Sequence, residues 1–123
     1  MPHLVLEYSA NVPDHPDVRR VLIDLHDAVM ASALFERKDI KSRAVRHEVF
    51  AVADGAEDRA FVALAIAILD GRSDEVKSAL SEAALDVLVH AYPKLAEGGR
   101  GAISVEIRDL QRASYRRVRV REG

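Results

Sequence analysis

Apolar residues recur along the chain with two periods, and each change of period marks a new element. His3 to Tyr8 is short, apolar and rich in strand formers, which predicts a strand beginning almost at the amino terminus. Ser9 to Asp14 reads as a loop. Pro16 suits the first turn of a helix, and Val18, Val21, Leu22, Leu25, Ala28 and Val29 follow at helical spacing. The spacing predicts a helix over about 15–33. Ile40 to Ala53 reads as extended, with imperfect alternation that suggests a bend or bulge. A turn signal follows at Ala53 to Ala56.

Phe61 to Leu69 is apolar on both parities, which marks a strand buried on both faces or pressed against a subunit. Asp70 to Ser73 turns into a second helix. Ser73 is a good N-cap, and Asp74 and Glu75 favour the positive end of the helix dipole. The helical period runs from Val76 through Leu95, and Gly98 and Gly99 stop it. Ala102 to Leu110 alternates Ile103, Val105 and Ile107 against Ser104, Glu106 and Arg108, as a half-buried strand does. Tyr115 to Arg121 alternates valine with arginine and reads as a last, charged edge strand.

The predicted fold is α+β. Two β-α-β units, each a right-handed parallel crossover, form a four-stranded sheet with both helices on one face and a short C-terminal edge strand. The uncovered face and the doubly apolar strand at 61–69 call for a symmetric oligomer. At 123 residues the chain suits one domain, 1–123.

Composition narrows the function classes. With 18 basic and 20 acidic residues the formal charge is −2, so nothing general favours nucleic acid. The chain has no cysteine, which excludes disulfides, thiolate nucleophiles and cysteine-held metal centres, and fits a reducing cytoplasm. No apolar run approaches the ~20 residues that span a membrane, and the first residues lack the pattern of a signal peptide. His3, His15, His26, His47 and His90 form no paired metal spacing and read as structural or solvated, with His47 the one held in reserve. Ser9, Ser42 and Ser73 have no nucleophile-elbow motif. Asp70-Gly71 and Gly98-Gly99 punctuate helices and are not phosphate loops. The run Arg116, Arg117, Arg119 and Arg121 reads as an edge-strand guard or subunit contact.

Several short segments together carry a resemblance. They are Met1-Pro2-His3 with the following Leu4 to Glu7, Ile40 to Arg43, Ala53-Asp54-Gly55 with Asp58, Ala60 to Val62, Gly71-Arg72-Ser73, and Ser104 to Ile107 with Leu110. In this register the chain resembles the tautomerase superfamily, and most closely its 5-carboxymethyl-2-hydroxymuconate isomerase family. The resemblance implies a homotrimer with its active site at each amino-terminal proline. It implies ketonisation with a 1,3-proton shift on a muconate-type carboxylate, in homoprotocatechuate degradation, with no metal or organic cofactor.

The residues can support that chemistry. Pro beside Met1 favours trimming of Met1, which leaves Pro2 as a secondary amine. An ordinary α-amino group has a pKa near ~7.7–8, and burial and nearby cations lower it. A base poised near the working pH is efficient. Arg72, in the turn after the central strand, is the leading candidate to hold a substrate carboxylate bidentately. Lys41 and Arg43 are the next. The family usually carries arginine where this chain has Lys41, and lysine keeps the charge but loses the planar fork. The same residues leave open a related enzyme of this fold acting on another enol acid or a halo-acid. They also leave open a non-catalytic oligomeric binding protein, should Met1 be retained.

Overall fold

The computed structural model describes residues 1–121. The elements run in the order β1 (His3–Ser9), α1 (Val18–Met30), β2 (Lys41–His47), β3 (Arg59–Leu69), α2 (Asp74–Ala91), α3 (Pro93–Gly98) and β4 (Arg100–Leu110), with a 3₁₀ turn at Arg37–Asp39. They form a four-stranded sheet of order β2-β1-β3-β4. β1 pairs parallel with β2, β3 pairs parallel with β4, and β1 and β3 join the two units antiparallel.

The sheet has one dry face. Leu4 and Leu6 of β1 and Val62, Ile66 and Ile68 of β3 are fully buried there, beneath Val21, Leu25 and Val29 of α1 and Leu80, Ala84 and Leu88 of α2. Both helices therefore cover the same side. On the other side Val5, Ala63, Ala65 and Ala67 stay only half-buried, and Val45 is exposed. The alternating burial along β3 shows that its second apolar row is not covered within one chain.

Four boundaries differ from the sequence expectation. α1 is shorter than 15–33 because the Asp17 side chain accepts from Arg20 N and caps it, while Ser32 Oγ donates to the Val29 carbonyl at its end. β2 stops at His47, not near Ala53, because the ladder runs out where Ser9 of β1 meets His47. Beyond it the chain bends into a turn in which Asp54 Oδ1 accepts from Ala56 N at 3.1 Å and Arg59 Nε at 2.7 Å. The second helix does not run unbroken to Leu95. Pro93 lacks an N–H and restricts the residue before it, so Tyr92 leaves the helix and α3 restarts at Pro93. The buried Asp14 carboxylate accepts from Lys94 N and Leu95 N at 2.8 and 2.9 Å and holds that restart. The tail at 115–121 is not an edge strand: among the described residues it joins no ladder. No helix of the described residues is long and apolar enough to cross a membrane.

Gly101 fixes the β3–β4 pairing. Its φ is +141°, and a Cβ there would lie 1.7 Å from the Ala60 carbonyl oxygen. We predict that Gly101→Ala costs about 3 kcal/mol or more in denaturant unfolding. Gly98→Ala, where a Cβ meets nothing within 4 Å, should stay within about 0.5 kcal/mol of the parent.

Candidate active site

Parallel pairing of the first two strands brings four sequence-distant segments to one end of the sheet. The Pro2 carbonyl accepts the backbone N–H of Lys41 at 3.1 Å, and His3 then lies opposite Lys41 in register. Pro2 is fully buried, as is nearly all of Met1. The amino-terminal nitrogen donates to the Asp39 carbonyl at 2.8 Å, and Lys41 Nζ donates to that same carbonyl at 3.0 Å. A main-chain amine and a lysine ammonium are thus held together by one oxygen.

This environment disfavours a charged amine. Burial is the largest cause, with the Lys41 and Arg117 charges adding to it and Asp39 opposing. The amine is pushed down from 8.0 to about 6. His3 is also held below its ordinary value, first by burial, then by the amino terminus, Lys41 and Arg43. Its Nε2 lies 3.0 Å from the Tyr115 hydroxyl, and the two rings meet edge to face at 5.9 Å.

A cavity of about 450 Å³ opens beside this terminus, a size ordinary for small-ligand sites. Met1, Phe35, Asp39, Arg72, Tyr115 and Arg119 are among its lining residues. The Arg72 guanidinium sits 5.6 Å above the centre of the Phe35 ring, and among the described residues it has no acidic partner. Its hydrogen-bonding fork is therefore free for an anion. Lys41 stands at the terminus itself. Arg43 does not line the cavity: it lies opposite Val5, two residues along β2 on the open face, where its charge still reaches His3.

The C-terminal tail belongs to this site, not to a sheet edge. Arg117 and Arg119 reach the Asp39 carboxylate at 3.2 and 3.1 Å and line the cavity. Partial burial opposes ionisation of Asp39, but these two guanidiniums outweigh it and hold the carboxyl below its usual value. Sequence reasoning missed Asp39, Phe35 and Tyr115. The available signal was the basic alternation of the tail, which a strand and a cavity wall share.

The histidines fall elsewhere. His26 is half-buried and bonds Ser42 Oγ at 2.7 Å. His47 meets Glu7 at 2.8 Å near the far end of β1, so it plays no part near Pro2. Among the described residues no group of three or more His, Cys, Asp or Glu is placed to hold a metal ion. A smaller cavity of about 220 Å³ lies at that far end, lined by Tyr8, Arg46 and Tyr92 among others, away from Pro2 and Arg72.

Comparison with known proteins gives one consistent answer. The model of the 5-carboxymethyl-2-hydroxymuconate isomerase family matches residues 2–122. A 5-carboxymethyl-2-hydroxymuconate Delta-isomerase from Escherichia coli is 28% identical over 110 residues, 89% of this chain and 87% of that protein. The crystal structure of a 5-carboxymethyl-2-hydroxymuconate isomerase from Deinococcus radiodurans R1 is 33% identical with a TM-score of 0.87, covering 95% of this chain and 88% of that one. A fused 4-OT symmetric trimer superposes with a TM-score of 0.71 at 19% identity, over 91% of this chain and 88% of that one, and that likeness speaks to the fold alone.

The electrostatics of the terminus can be checked directly. Lys41→Met removes a cation and a hydrogen bond that both lower the amine pKa. In the form that keeps Met1, the pKa of that amine should rise from about 6 towards 8.0, read by NMR titration or pH-dependent acetylation of the terminus. An unchanged value would show that burial and Arg117 set it without Lys41.

Proposed function

Because the chain belongs to the 5-carboxymethyl-2-hydroxymuconate isomerase family, and is an isomerase of that kind, we propose that it catalyses the Delta-isomerisation of 5-carboxymethyl-2-hydroxymuconate or a close muconate-type acid, with the Pro2 nitrogen as general base. One observation carries the reading: the buried Met1 amine lies beside Lys41 and Arg117 and adjoins a cavity of ligand size lined by Met1, Arg72 and Arg117. Removal of Met1 leaves the Pro2 nitrogen as the amine in this neighbourhood. With Met1 in place that nitrogen is an amide and has no basic lone pair.

In the proposed reaction the neutral Pro2 amine takes the proton of the enol hydroxyl. The O–H electron pair becomes the carbonyl π bond, and the displaced π electrons move along the chain to carbon. Pro2 then returns the proton to that carbon. Oxygen loses one proton, carbon gains one, and the amine ends as it began, so no redox partner enters. Arg72, with its fork free, stabilises the carboxylate and the negative charge that builds on the carbonyl oxygen. Lys41 favours the neutral amine and gives a point charge where an arginine would give a fork. Arg43 stands off the cavity wall on the open face, where its charge helps to keep His3 neutral.

We also propose that the protein works as a homotrimer in the cytoplasm, within homoprotocatechuate degradation. The open sheet face with Val5, Ala63, Ala65 and Ala67 supports the assembly, as do Val118 and Val120, which are 86% and 74% exposed. Light scattering should give three times the 13.6 kDa chain mass, and a clean monomer would refute the assembly.

The mechanism predicts an intact mass short of one methionine residue. A form that keeps Met1 should lose about 10²–10⁴ in kcat, the usual contribution of a positioned base. The sign of the pH dependence follows from the base form being the active one. kcat/KM should rise with pH through the Pro2 amine pKa and level off above it.

A further inference from the structure

The cavity that Met1 lines carries more positive charge than the isomerase reading assigns. After the turn at Arg112–Ser114 the tail runs without a strand partner towards the amino terminus, and Tyr115 pins it there against His3. Residues two apart in such an extended segment point to the same side. Arg117 and Arg119 turn inward to the cavity while Val118 and Val120 point out. Both guanidiniums meet one oxygen, Asp39 Oδ1, at 3.2 and 3.1 Å.

One carboxylate cannot neutralise two guanidiniums. The other acid on the cavity wall, Glu36, is exposed and meets Lys38 at 3.5 Å. Arg112 is matched by Asp70 at 3.4 Å. Net positive charge is therefore left where the tail faces the cavity, beside the Lys41 that lacks a planar fork. Arginine supplies that fork, and exchanging one partly exposed carboxylate partner for another costs little.

We infer that Arg117 and Arg119 form a second carboxylate subsite, held ready by Asp39, that sets the preference for substrates bearing more than one carboxylate. This rests on the isomerase reading and deepens it. Asp39 keeps one guanidinium when a substrate carboxylate takes the other, and so acts as a positioning residue. Arg72 binds one end of the substrate and the tail forks bind an outlying acid group.

The test uses unreactive probes and needs no turnover. Binding of propane-1,2,3-tricarboxylate and of phenylacetate is measured by calorimetry on the full chain and on R117Q/R119Q. The double variant should weaken the tricarboxylate about 10- to 100-fold and the monocarboxylate less than about 3-fold. Adding K41R should restore part of the lost tricarboxylate affinity by supplying a fork nearby. Equal weakening of both probes, no weakening, or no tricarboxylate preference in the parent chain would each overturn the inference. Circular dichroism confirms that the variants keep the fold. If the proton-transfer reading fails, as shown by full activity with Met1 retained, this binding contrast still stands or falls alone.

Discussion

The hydrogen bond from Lys41 N to the Pro2 carbonyl is the constraint on which the site depends. It opens the β1–β2 ladder, so it fixes the register of every pair from His3 opposite Lys41 to Ser9 opposite His47. It also buries the first residues under the loop that carries Asp39. A terminus is ordinarily the loosest part of a chain. Here it is tied by backbone pairing, and its nitrogen is tied again to the Asp39 carbonyl. A slip of one residue would send Lys41 to the helix-covered face and break the cluster.

That cluster disfavours charge on basic nitrogens. Burial and cations act in the same direction on the amino terminus and on His3. Of the two acids on the cavity wall, Glu36 meets Lys38 and Asp39 turns its carboxylate towards arginines of the tail. A carboxylate aimed at the amine would favour its protonated form and leave less of the neutral amine at neutral pH. The placement of Asp39, with its carbonyl to the amine and its side chain to the tail, separates these two effects.

The parts of this design that repeat a period were legible in the sequence. The two β-α-β units, the buried stripe of Val21, Leu25 and Val29, and the alternation at Ile103, Val105 and Ile107 all follow from it. Arg72 was legible because it stands in a turn between a strand and an N-cap. Features that depend on a distant partner were not. Asp39 reads as one acid in a basic loop, and its meaning comes from residues 78 and 80 positions away. The tail shows a strand's alternation, but alternation records only which side each residue faces. It does not say whether a ladder partner exists. Pro93 was a readable signal that the apolar period on both sides of it masked.

The pairing of two similar units bears on how such a site can arise. β1 and β3 occupy equivalent places in their units, and each begins a parallel crossover. Yet β3 begins at Arg59, inside the chain, where a peptide bond occupies the nitrogen. If the base is the chain's own first amine, repeating the architecture cannot repeat the base. Two units in one polypeptide then give a single reactive centre. The second unit supplies no base, and its contribution is Arg72, a wall and a surface to pack against. For such a protein the number of working sites is set by how many chain beginnings an assembly contains, however many copies of the motif it holds.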